Sequence, residues 1–161
     1  MAQLPSDAFK VLYIHWGNEY INRPSSAQKK FAHWLIDAGF DLIIGMHPHV
    51  LQGYEDYKGK RIYYSLGNCV FDMPSEQCKI GALVGVDFST DKPAYKEQYI
   101  RIDKDCCPHI VPETDIPSQW RFSYLNETTH THSFFIGFFQ AEFFVEFILC
   151  FASYHIFCIT K

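Results

Sequence analysis

The pattern of apolar and polar positions changes period several times along the chain. Residues 11–16, VLYIHW, form a short apolar run of β-branched and aromatic residues ending at a polar site, which reads as a buried strand. From Ser25 onward the period becomes helical. Phe31, Trp34, Leu35 and Ala38 recur at helical intervals, Ser25 and Gln28 have capping-box spacing, and Gly39 suits a left-handed C-cap, so the pattern predicts an amphipathic helix over 26–38. Residues 41–45, DLIIG, read as a second buried strand. Strand, helix and strand with short links make a βαβ unit, which implies a parallel strand pair.

Farther along, GYEDYKGKRIYYS predicts a hairpin turning at Lys58-Gly59, because glycine supplies the positive φ that tight hairpin loops need. KIGALVGVDFS and EQYIRID are two further strand candidates, so the order changes from α/β to meandering β. The fold class expected is α/β. The pattern divides the chain into a folded unit over 10–105, an irregular linker over 106–133 and a hydrophobic segment over 134–159. The linker is proline-punctuated in CCPHIVPETDIPSQW and without period in NETTHTHS.

The last segment holds nine of the fifteen phenylalanines. Over 134–151, twelve strongly apolar side chains at about −0.4 kcal/mol each gain roughly 5 kcal/mol for membrane insertion, while Glu142 and Glu146 cost about 3 kcal/mol each. The terms nearly cancel. A helix here would carry both acids on one face, leaving open an interfacial position, a protein partner, or a marginal span.

Composition narrows the function classes. With 161 residues and 48% apolar content the chain fits one domain with a real core. A net charge of −4 without a basic stripe argues against a nucleic-acid partner. Cysteines at 69, 78, 106, 107, 150 and 158 form no CxxC pair and no dense disulfide framework. The opening MAQLPSDAFK lacks the layout of a secretory signal, so the cytoplasm is the default location, with membrane association through 134–159 as the alternative.

Candidate chemistry gathers at the strand ends. The βαβ unit places His15 beside His47 and His49 at the carboxyl ends of adjacent strands, where open α/β sheets put their sites. Imidazole is a common ligand of transition metals, a pair at i, i+2 leaving a strand can point to one side, and Pro48 fixes the backbone between them. The alternative for the pair by itself is two exposed loop histidines. Glu19 could orient a ligand, act on a water or pair with Arg23; Asn68 could hydrogen-bond a ligand oxygen or serve the turn after Gly67. His33, His109, His130, His132 and His155 lack this alignment and read as structural or solvated. Ser65 and Cys69 have no evident base partner, which argues against nucleophilic catalysis.

The elements HWGNEY and AHWLIDAGFDLIIGMHPHVLQGYEDYKGKRIYYSLGNCVFD closely resemble the carboxyl half of the CapA family of capsule and poly-γ-glutamate biosynthesis proteins. The resemblance spans roughly residues 10–90, with the elements in family order. It implies a metallophosphoesterase-like, four-layer α/β/β/α sandwich with a metal centre at one sheet edge. It implies that His15, His47 and His49 are ligands of a divalent zinc, manganese or iron ion, that Glu19 and Asn68 are pocket residues of catalytic kind, and that the chemistry is metal-assisted hydrolysis of a phosphoester or of poly-γ-glutamate. The alternatives are a non-catalytic, membrane-associated component of a polymer synthesis or export assembly, and a truncated product without independent function.

The family's earlier Gly-Asp and Asn-His motifs do not precede VLYIHW here. The resemblance therefore implies a partial domain that binds metal weakly, with an open sheet edge suited to self-association or a partner.

Overall fold

The computed structural model describes residues 8–125 and the backbone of residues 155–159. The predicted βαβ unit is present as β1 (Phe9–His15), α1 (Ser26–Asp37) and β2 (Leu42–Met46). β1 and β2 run parallel, with His15 opposite Met46. At the start of α1 the Ser25 hydroxyl accepts the Gln28 N–H while the Gln28 side chain accepts the Ser25 N–H, a complete capping box. Gly39, at φ +105°, lets the chain turn away after the helix.

The buried face of α1 is Gln28, Ala32, Leu35 and Ile36. This corrects the predicted face at Trp34. Ile36 points inward, which turns Trp34 about 200° away on a 3.6-residue helix, and its ring lies flat on Phe31 at 5.6 Å.

β3 (Tyr54–Tyr57) and β4 (Lys60–Tyr63) form the predicted hairpin, with Lys58 at φ 51° and Gly59 at φ 75° as its two turn residues. β4 lies parallel to β2. A separate antiparallel sheet holds β5 (Ile80–Asp87), β6 (Ala94–Ile102) and β7 (Pro108–Val111). β7 falls within the span expected to be irregular linker. Ile116 beyond it is 1% exposed and packs with Leu51, Ile80, Ala82 and Tyr99. Packing therefore continues past residue 105, because β7 supplies a third rung to a two-stranded ribbon.

β8 (His155–Ile159) pairs antiparallel with β1, giving the first sheet the order β3-β4-β2-β1-β8. A strand replaces the helix considered for these last residues, and it occupies the β1 edge expected to be open. The rest of the Phe-rich segment, 134–154, lies outside the described residues. Among the described residues no helix is long and apolar enough to cross a membrane.

Side chains alternate across the first sheet as the pleat requires. Leu12, Ile14, Ile43 and Ile62 meet α1 through Ala32, Leu35 and Ile36. Val11, Leu42, Ile44 and Tyr63 face the second sheet, where Val84, Val86 and Tyr95 pack against them. β2 is thus covered on both faces, which is why its sequence is an unbroken apolar run rather than an alternation.

The described residues form an α/β structure of one helix and two sheets in three layers. A second helical layer of the expected four-layer sandwich is not among them. Arg61 bridges the sheets: its guanidinium lies over the rings of Tyr54 and Tyr95 at 4.6 and 4.7 Å and donates to Glu97. Near the site the sheets meet backbone to backbone, with Ala82 N–H donating to Leu66 O at 2.9 Å and Gly67 bridging Gly81.

Candidate metal centre

β1 and β2 end side by side, and the chain leaving each end is anchored to the other. Trp16 N–H donates to Met46 O at 3.0 Å, and its indole Nε1–H reaches across β2 to Tyr64 O at 2.8 Å. The indole can pass because residue 45 is glycine: a Cβ there would stand 2.1 Å from Tyr64 O and 2.3 Å from Trp16 Nε1. Gly17, at φ 84°, turns the loop back, and Tyr20 N–H donates to Pro48 O at 2.8 Å. The loop carrying Glu19 is thereby fastened to the residue between His47 and His49.

One donor atom each from Glu19, His47 and His49 lies within 4.8 Å of the others. His49 Nε2 faces Glu19 Oε1 at 4.0 Å. His15 stands beside this triad rather than in it, its ring packed against His47 with centroids 4.3 Å apart. Partial desolvation, followed by the neighbouring His47 and His49, holds the His15 imidazole below its ordinary pKa, so it favours the neutral, lone-pair form that ligates metals. Glu19 faces His49, and no ion pair with Arg23 occurs among the described residues. One carboxylate and two imidazoles within this span match the N/O donor set of zinc, manganese or iron.

Asn68 is buried behind His49. Its Oδ1 lies 2.9 Å from His49 Nδ1, and its amide Nδ2 donates to Cys78 O at 3.0 Å. The side chain is therefore engaged with His49 at the wall of the cleft that it helps to line. Gly81 permits this closeness, since a Cβ on it would lie 2.0 Å from Asn68 O.

His47 and His49 open on a cleft of about 430 Å³ whose lining includes Tyr13, His15, Met46, Leu66, Asn68 and Phe71. Tyr20 and Phe71 place their rings against His49, at 6.3 and 4.9 Å between centroids. Neither was among the candidate residues. The only signal for either is its place near the end of a motif, Tyr20 in HWGNEY and Phe71 in SLGNCVFD, because periodicity does not report which side of a sheet a loop folds over.

Of the other histidines, His33 and His109 each face a carboxylate, and of His155 only the backbone, in β8, is described. His33 Nε2 lies 2.6 Å from the buried Glu55 carboxylate, which also accepts the Tyr64 hydroxyl at 2.5 Å, and its ring stacks on Tyr57 at 3.8 Å. His109 pairs with Asp103 at 2.7 Å in the exposed β6–β7 turn. His130 and His132 lie outside the described residues. Ser65 is buried and accepts the Gly67 N–H at 3.3 Å. Cys69, Cys78, Cys106 and Cys107 are free thiols.

Comparison with known proteins places residues 2–73 in the family described as bacterial capsule synthesis protein PGA_cap. The chain is 51% identical over 74 residues to a capsule biosynthesis protein CapA of Bacillus anthracis, covering 46% of this chain and 18% of that protein. It is 49% identical over 74 residues to the PGA biosynthesis protein CapA of Bacillus subtilis, covering 46% and 20%. A probable polyglutamine synthesis accessory protein of Mycobacterium tuberculosis is 37% identical over 62 residues, covering 38% and 16%. The matched part is a segment of CapA-family sequence, and it spans a fifth or less of the length of these relatives.

Proposed function

We propose that this CapA-family segment forms the metal-binding edge of a metal-dependent hydrolase serving capsule or poly-glutamate biosynthesis, within a sandwich of the metallophosphoesterase kind. The observation that carries the reading is the convergence of Glu19, His47 and His49 donors within 4.8 Å at the carboxyl ends of two parallel strands. The relatives' names supply the biological context.

Glu19, His47 and His49 would hold the ion, with His15 the neighbouring imidazole. A bound divalent ion supplies an activated water and neutralises charge on the oxygens of a phosphoester or acyl group under attack. The chain's own contribution is positional. Pro48 and the Tyr20 N–H fix the two histidines relative to Glu19, and Asn68 holds the His49 ring.

The triad carries a single negative charge, too little for tight binding of a pair of divalent ions. The expected result is therefore weak Mn(II) binding to the full chain, followed by electron paramagnetic resonance of the free ion, and aryl phosphate hydrolysis no faster than in His15→Ala. A His47→Ala, His49→Ala double variant that binds Mn(II) as well as the native chain would remove the basis of the reading.

A further inference from the structure

The hydrogen bonds around Asn68 decide which ring nitrogen of His49 carries the proton. Asn68 is 8% exposed, and its amide nitrogen donates to Cys78 O at 3.0 Å. A backbone carbonyl only accepts, so this bond fixes the amide orientation and turns Oδ1 toward His49 Nδ1, 2.9 Å away. Oδ1 has no hydrogen to give. The proton between the two belongs to Nδ1, and a neutral ring with Nδ1–H has a bare lone pair on Nε2.

That lone pair does not meet a donor. It faces Glu19 Oε1 at 4.0 Å, beyond hydrogen-bond distance. A carboxylate oxygen and an unprotonated nitrogen are both acceptors, and two acceptors held face to face attract a cation to both. An exposed neutral histidine in water favours the opposite tautomer, with the proton on Nε2, so the buried amide works against the ring's own preference.

We propose that Asn68 is a positioning residue that holds His49 in the Nδ1–H tautomer and so commits Nε2 to the cation shared with Glu19 and His47. This rests on the metal-binding reading above and moves Asn68 from acting on substrate to acting through His49. It also names the ligating atom. The ion is taken by Nε2, and Nδ1 is unavailable as long as Asn68 is in place.

The test uses the full chain with 15N-labelled histidine, metal-free, at about pH 8.5, above the ordinary imidazole range. Long-range 1H–15N correlation should give a pyrrole-like Nδ1 and a pyridine-like Nε2 for His49. In Asn68→Ala the Nε2–H form should become prevalent, and Co(II) affinity, read from visible absorption, should fall about 10- to 100-fold. Asn68→Asp retains an acceptor for Nδ1–H and should keep the native tautomer.

An Nε2–H ring in the native chain overturns the proposal, and needs no variant to fold. So does an Asn68→Ala chain unchanged in tautomer and affinity. A His47→Ala chain that binds Co(II) like the native protein overturns instead the metal reading, with the tautomer measurement unaffected.

Discussion

Replacing Gly45 with alanine tests how the site is held, because Gly45 is where Trp16 crosses β2. The added Cβ would sit 2.1 Å from Tyr64 O and 2.3 Å from Trp16 Nε1, two atoms joined by a 2.8 Å hydrogen bond. One of them is backbone of a fully buried residue, so it cannot simply swing aside. Displacing the indole forfeits a hydrogen bond worth about 1 kcal/mol. Forcing a methyl group into packed surroundings costs about 1–3 kcal/mol more. The expected loss is therefore about 2–4 kcal/mol, a large share of the roughly 5–15 kcal/mol that holds a domain together.

Urea unfolding measures this as a lowered midpoint at unchanged slope. Gly59→Ala is the control. There a Cβ meets nothing within 4 Å, and only the left-handed φ of 75° resists it, at about 1–2 kcal/mol. Because Trp16 directly follows His15 and leads into the Glu19 loop, Gly45→Ala should also weaken Co(II) binding, whereas Gly59→Ala should not. A Gly45→Ala chain that loses less stability than Gly59→Ala would refute the reasoning.

Glu55→Leu should cost about 3 kcal/mol in urea unfolding, since it strands the buried Tyr64 hydroxyl and the His33 ring; adding Tyr64→Phe should recover part of that loss, and no recovery would mean the cost lies elsewhere. In the β6–β7 turn, hydrogen bonds from His109 and then from the Cys107 N–H hold the Asp103 carboxyl below its ordinary value of 3.8. The unfolded chain therefore binds the proton first, and the stability from Asp103 is present above pH 3.8 and lost as pH falls through the lower folded value. Asp103→Asn should flatten that acid limb of the unfolding midpoint against pH, and an unchanged limb would contradict the assignment.

The parts legible in the sequence are those fixed by local chemistry. The capping box at Ser25 and Gln28, the Lys58-Gly59 turn and the double-sided apolar run of β2 each follow from residues close together in the chain. The parallel pairing of β1 with β2 followed from the helix between them, and it brought His15 to His47. What was not legible depends on long-range contacts. β7 is short, with three of its four residues exposed, and it is a strand because β6 offers an edge. Trp34 looked like core until Ile36 took the inner position. The Asn68 amide is oriented toward His49 because the 3-10 turn ahead of β5 brings the Cys78 carbonyl to its other side.

Backbone conformation supplies an independent argument that the strand ends are built for ligands. Tyr20, His47 and His49 have φ of 63°, 102° and 60°, a region that non-glycine residues avoid. Lys58 and Cys106 (φ 62°) share this feature for an ordinary reason, since each sits in the turn between two antiparallel strands. No hairpin explains the other three. At about 1–2 kcal/mol each they cost roughly 3–6 kcal/mol together, and glycine at any of them would relieve it.

What the strain achieves is orientation. His47 and His49 bracket Pro48, whose ring fixes its own φ, and both line the cleft instead of continuing the strand. Tyr20 uses its N–H to grip the Pro48 carbonyl and bring Glu19 within reach. Packing alone asks for none of this: Val50, one residue later, is fully buried without left-handed backbone. Strain placed on two histidines of one cleft and on the loop fastened between them, where the core does not need it, is what a pre-organised binding site requires.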